Sequence, residues 1–164
     1  MSIHETTSIN APVGKVVQAY ASEDFARHVS QQAGVQFESF SVDGDLTGPF
    51  TVTTVRSVGG DKIPGFAQKF IKNGVTLTQK DLFKAPGADG SRDVETSVSA
   101  GAVPVSANLT QKLSAQGEKT QVELDGEVKA NIPLVGKKLA QAAEPYMSKA
   151  LTLQSREAEH WINK

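Results

Sequence analysis

The chain has no cysteine, which removes disulfides, thiol nucleophiles and thiolate metal sites at once. It also lacks an excess of either charge: 17 Lys and Arg stand against 18 Asp and Glu, a formal net charge of -1. The two signs are interspersed, and aromatics, at 6%, form no stacking run with basic residues. Without a basic field or such a run, nucleic acid is not an expected partner. Long apolar runs are missing too. No stretch approaches the ~18 residues of a membrane-spanning helix, and residues 1–7 are too polar for the core of a secretion signal. The expectation is a cytoplasmic protein with no membrane span.

Motifs of familiar chemistry are equally scarce. No serine sits in a Gly-x-Ser-x-Gly elbow, and Gly136-Lys137-Lys138 lacks the upstream Gly and the Ser or Thr of a phosphate loop. His4, His28 and His160 are far apart, without metal-ligand spacing, and read as exposed residues at element ends. Asn108-Leu-Thr fits a glycosylation acceptor but, with no secretion signal, is idle. The sequence therefore assigns no catalytic residue, no metal ligand and no cofactor.

What is present is pattern. With 164 residues, 38% hydrophobic and 21% charged, the chain is long enough to bury a core and is read as one domain over 1–164. Near the C-terminus, Ile132, Val135, Leu139, Ala142, Ala143, Tyr146, Ala150 and Leu153 recur in steps of three and four. The stripe resumes at Ala158, Trp161 and Ile162. This predicts one amphipathic helix from about Leu134 to Ile162, with Pro133 suited to its first turn. Pro145, inside it, should kink the axis or interrupt one hydrogen bond. Earlier, Val13, Val16, Val17 and Tyr20 follow Pro12 as a short helix. A second carries Phe25, Val29 and Ala33 between a Ser22 cap and Gly34.

The rest alternates with period two. A polar-faced strand precedes the short helices, and six more follow at hairpin spacing, through Phe37, Phe50, Leu77, Val94, Val105 and Val122. The spacing excludes a parallel α/β sheet. The prediction is an α+β fold: a curved antiparallel sheet of about seven strands gripping a long C-terminal helix. The exception to the alternation is 62–74, where Phe66 and Phe70, four apart beside Ile63 and Ile71, predict an amphipathic turn between two strands. It is bracketed by glycines and flanked by Lys62, Lys69 and Lys72. It is read as a cap on the core or a movable gate.

This order of elements, the Lys62-Ile-Pro-Gly-Phe insertion and the junction Gly126-Glu-Val-Lys-Ala-Asn-Ile-Pro-Leu-Val-Gly-Lys-Lys-Leu resemble the helix-grip fold of the START-like (SRPBCC) superfamily. The likeness is nearest to a bacterial family of unknown function within it. The resemblance implies a cavity between sheet and helix that holds an apolar small molecule or lipid. It supplies no catalytic motif to carry over.

Parity selects the residues facing such a cavity. If Phe50 and Val52 point inward, so do Thr54 and Arg56; if Leu77 does, so do Gln79 and Asp81, unless a bulge flips the strand. Phe66, Phe70, Val98, Leu109, Leu139, Ala143 and Tyr146 complete the candidate lining. Buried polar groups need partners, so an Arg56–Asp81 pair is a consequence of this parity. Tyr146 is read first as core packing and second as a hydroxyl offered to a ligand. A binder of apolar molecules is the main reading. Its rivals are a cyclase- or dehydratase-like enzyme using Arg56, Asp81 and Tyr146, and an interaction module with a vestigial cavity. The pattern specifies neither a particular ligand nor an oligomeric state.

Overall fold

The alternating stretches become seven antiparallel strands in a computed structural model, which describes residues 2–63, 65, 68, 73–101 and 103–164. The chain runs β1 (Ser2–Ile9), α1 (Val13–Tyr20), α2 (Glu23–Ala33), β2 (Gln36–Gly44), β3 (Phe50–Val58) and a 3-10 turn at Gly60–Lys62. It continues through β4 (Val75–Phe83), β5 (Arg92–Ala100), β6 (Val103–Gln116), β7 (Lys119–Ala130) and α3 (Gly136–Asn163). The strands lie in the order β1-β7-β6-β5-β4-β3-β2. Strands β2 to β7 thus form a meander, and β1 adds beside β7. Because β1 and β2 are opposite edges, α1 and α2 carry the chain from one side of the curved sheet to the other. This is the helix-grip α+β architecture.

Local chemistry sets the helix ends. Pro12 precedes α1, where a missing N–H costs nothing. Ser22 caps α2, its Oγ accepting from the Phe25 N–H at 3.3 Å, with Glu23 and Asp24 at the positive end of the helix dipole. Gly34 ends α2 at φ 72°, a conformation that disfavours side chains. Helix α3 starts two residues later than expected. Leu134 takes φ 71° and is fully exposed, which puts Pro133 in a turn before the helix. At Gly136 a Cβ would come within 2.2 Å of the Ala130 carbonyl oxygen, so the crossing from β7 into α3 requires glycine.

The 28-residue α3 spans roughly 42 Å at 1.5 Å per residue. Its buried seam is Leu139, Ala140, Leu151, Ser155 and Ala158, with Met147, Trp161 and Ile162 packed beside it. Over its C-terminal half this seam is turned from the expected stripe, with Leu151 and Ser155 buried and Leu153 less so. Tyr146 is 55% exposed, Ala150 is exposed, and Ala142, Ala143 and Leu153 are half-buried. Ser155 occupies a seam position that an apolar pattern cannot reveal. Pro145 lies on the exposed side, and the helix continues through it. There, water can satisfy the carbonyl that lacks a helical donor.

An aromatic core lies under the C-terminal half of α3. Phe50 and Phe83 stack at 4.4 Å, Tyr20 packs edge-on to Phe83, and Phe25 bridges Tyr20 and Trp161 at 6.0 and 5.8 Å. Strands β3 and β4 pair without a register shift, Phe50 opposite Phe83 and Arg56 opposite Leu77. The parity of both strands is thereby preserved over their whole length. Bulges occur elsewhere, between Phe37 and Ser39 and between Ser99 and Ala100.

Candidate ligand cavity

The inner face of the sheet is banded along its strands. On β4, Val75 and Leu77 come first, Gln79 and Asp81 next, and Phe83 last. On β3 the sequence is Val58, then Arg56 and Thr54, then Val52 and Phe50, and on β5 it is Ala100 and Val98, then Thr96, then Val94. The helices repeat the order. Helix α2 presents Ala33, Ser30 and Phe25, and α3 presents Ala143 and Met147, then Gln154 and Ser155, then Ala158 and Trp161. An apolar band, a polar belt and an aromatic core therefore succeed one another.

The first band encloses a cavity of about 340 Å³. Its walls are Ala33 and Val35, then Val58, Val75 and Leu77, then Val98, Ala100 and Val105 from the sheet. Leu139, Ala143, Tyr146, Met147 and Ala150 line it from α3. Ile63 and Leu139 form a small buried cluster at its rim with Val58, Val75 and Val105, and Lys62 also borders it. Ala143, half-buried, and Tyr146, exposed, both line this space. The volume falls within the ~300–1,000 Å³ usual for small-molecule sites. A larger depression of about 740 Å³ lies on the outer sheet face, among Lys80, Glu95, Asn108, Asp125 and Glu127, and is a shallow solvated surface.

The belt is a connected network. The Arg56 Nε donates to Ser30 Oγ at 2.7 Å, and its Nη1 donates to Gln79 Oε1 at 3.2 Å. The Gln79 Nε2 donates to Asp81 Oδ2 at 3.0 Å and to Gln154 Oε1 at 3.3 Å. The Thr96 hydroxyl donates to Asp81 Oδ1 at 2.6 Å and accepts from Gln111 Nε2 at 2.7 Å. Burial pushes the Asp81 carboxyl up to about 6, against the opposing pull of Thr96, Gln79 and the Arg56 charge. Burial likewise pushes the Arg56 guanidinium below its ordinary value, with Asp81 opposing. Tyr20, bonded to Ser155 at 3.4 Å, is raised by burial to about 12 and remains a neutral hydroxyl.

Of the residues singled out from the sequence, Leu77, Val98, Leu139, Ala143 and Tyr146 border the cavity. Thr54, Arg56, Gln79 and Asp81 lie in the belt. Phe50, Val52 and Leu109 belong to the packed core, and Phe66 and Phe70 lie outside the described residues. The expected Arg56–Asp81 pair is relayed through Gln79. Ser30, Thr96, Gln111 and Gln154 are not legible in the sequence, because isolated Ser, Thr and Gln carry no periodic signal. His4 faces Asp125 and His160 faces Glu157 at the surface, whereas His28 is half-buried, bonded to Glu157 at 2.8 Å and packed on Trp161. No group of three or more His, Asp or Glu among the described residues is placed to hold a metal ion. None of the described helices is long and apolar enough to cross a membrane.

The fold is similar to that of a protein from Thermus thermophilus, TTHA0849, at 13% identity and a TM-score of 0.59 over 99% of this chain and 97% of that one. It is similar to a START superfamily protein from Mycobacterium smegmatis, at 8% identity and a TM-score of 0.57 over 98% of each chain. Truncated norcoclaurine synthase from Thalictrum flavum is a further neighbour, at 13% identity and a TM-score of 0.50 over 97% of this chain and 90% of that one. At such identities the likeness is one of fold. No curated protein matches the chain by sequence. A family model does match over residues 4–162, and with its START-like fold the chain belongs to the family described as Protein of unknown function (DUF2505).

Proposed function

We propose that this protein binds an apolar small molecule or lipid between the sheet and the N-terminal half of α3. The observation that carries this reading is the cavity of about 340 Å³ with a mostly apolar wall, in which Lys62, Ser99 and Ser106 are the polar members. Left to water, such a surface is costly, and a ligand that covers it recovers about 25 cal/mol per Å² of apolar area. Neighbours such as the START superfamily protein support it by fold. Ligand contacts are assigned to Leu77, Val98, Leu139, Ala143 and Tyr146. Native mass spectrometry of gently purified protein tests the reading. A bound apolar species, or stoichiometric uptake of an added one, is expected, and protein that takes up none refutes it.

Asp81 favours a second reading. A carboxyl 6% exposed and raised to about 6 is suited to moving protons near neutral pH, as a cyclase- or dehydratase-like enzyme requires. Under that reading a bound ligand is converted, whereas a binder returns it intact, and mass analysis of recovered ligand separates the two. An interaction module with a filled interior is disfavoured by the cavity.

A further inference from the structure

Resting on the cavity as a ligand site, we infer that its inner end is an anion site built on Arg56, and that the ligand is an amphipath entering with a carboxylate-like head first. Arg56 stands directly opposite Leu77 and on the same strand face as Val58, both of them cavity walls, one step further in. Its guanidinium is half-buried, yet its partners, Ser30 Oγ and Gln79 Oε1, are neutral acceptors. No carboxylate among the described residues lies within ion-pair distance, because the Gln79 amide separates Arg56 from Asp81. The Asp81 oxygens are turned to Thr96 and Gln79. Nη2 makes no hydrogen bond among the described residues. A guanidinium that has lost water without gaining an anion has donors to offer, and its planar fork suits a carboxylate. Burial lowers its pKa, and the Asp81 charge, one amide away, only partly offsets this.

The belt explains the orientation. It begins directly beyond the wall residues Leu77 and Val58, so the inner end of a ligand reaching past them meets Arg56 and Gln79. An apolar end there would leave an uncompensated desolvation. An amphipath covers the apolar walls with its tail and gives the belt an acceptor. Lys62 at the rim is the competing cation, exposed and without a carboxylate partner among the described residues. A head bound there would place the tail inward.

Calorimetry with decanoate, decanol and decyltrimethylammonium at about pH 8, where a carboxylic acid is ionised, separates these cases. Decanoate should bind wild-type protein about ten- to hundredfold more tightly than decanol, and the cation more weakly than either. In Arg56→Gln the preference for decanoate should vanish while decanol affinity stays. Arg56→Lys, which keeps the charge, should retain part of the preference and guards against a folding defect in the first variant. Lys62→Gln should change little. Equal affinity for decanoate and decanol in wild type overturns the anion site but leaves apolar binding standing. A preference lost in Lys62→Gln and kept in Arg56→Gln overturns the role of Arg56. Binding of none of the three probes refutes the cavity reading and the anion site with it.

Discussion

Arg56 and Asp81 face the same interior from adjacent strands without touching, because the side chain of Gln79 stands between them. It accepts from Arg56 at 3.2 Å and donates to Asp81 at 3.0 Å. A direct ion pair would neutralise both charges and leave the belt electrically quiet. The relay leaves the Arg56 cation beside Leu77, a cavity wall, and the Asp81 carboxyl deeper in the belt. Replacing Gln79 by Leu removes both bonds. The expected cost is about 1–3 kcal/mol, read by urea unfolding, with the Asp81 pKa moving further up because a donor to its ionised form is gone. Unchanged stability and titration would show that the relay does not form in solution.

Asp81 makes stability depend on pH in a definite direction. Its folded-state pKa, about 6, lies above the ordinary 3.8, so the folded protein holds the proton more tightly than the unfolded chain. The group therefore adds no penalty below about pH 4, and it destabilises the fold progressively as pH rises to about 6. The loss is at most about 3 kcal/mol at 1.36 kcal/mol per pKa unit and stays constant above that window. Asp81→Asn should gain stability relative to wild type across the same interval in denaturant titrations at stepped pH. Parallel curves for the two proteins would contradict the buried, raised carboxyl.

How far the sequence reached is clear at β3 and β4. Alternation placed Arg56, Gln79 and Asp81 on the inner face, and the uninterrupted register between these strands kept that parity true. Their partners were beyond reach. Ser30 is 26 residues from Arg56 and Gln154 is 75 from Gln79, and a period within one element carries no information across elements. The strand order and helix grip were legible because hairpin spacing and a long stripe are local signals. The phase of the C-terminal half of α3 was not. Small residues facing a cavity look in sequence like small residues facing a core, and Ser155 breaks the apolar count where the packing is tight.

That rotation of α3 is directly measurable. Leu151 is 4% exposed whereas Leu153, two residues on, is only half-buried. Leu151→Ala should cost about 2–5 kcal/mol, and Leu153→Ala clearly less. The reverse order in chemical denaturation would restore the stripe read from the sequence.

Gly126 fixes the fit between β6 and β7. An added Cβ would lie 2.2 Å from the Asn108 carbonyl oxygen and 2.6 Å from the Leu109 Cα, both backbone atoms that cannot step aside cheaply. Gly126→Ala should therefore destabilise by about 1–3 kcal/mol or more, although alanine normally favours the folded state over glycine through chain entropy. A stabilised Gly126→Ala, read by thermal unfolding, would mean that the strands are further apart than described.

Filling the cavity separates binding from folding. Ala143 is half-buried on α3 and borders the void near Leu77 and Val98, so a larger apolar side chain there has room that a packed core would deny. Ala143→Phe should weaken uptake of decanol and decanoate together by at least about tenfold, since it removes the space for the tail and leaves Arg56 in place. Its effect on stability is the balance of two small effects. Buried apolar area is gained at about 25 cal/mol per Å², and helix propensity is lost at up to about 0.7 kcal/mol. The melting temperature should therefore hold or rise. Overpacking in a filled interior predicts the opposite, a loss of about 1–3 kcal/mol. A variant that unfolds early would show that α3 and the sheet already meet there, and one that binds both probes as wild type does would place the ligand elsewhere.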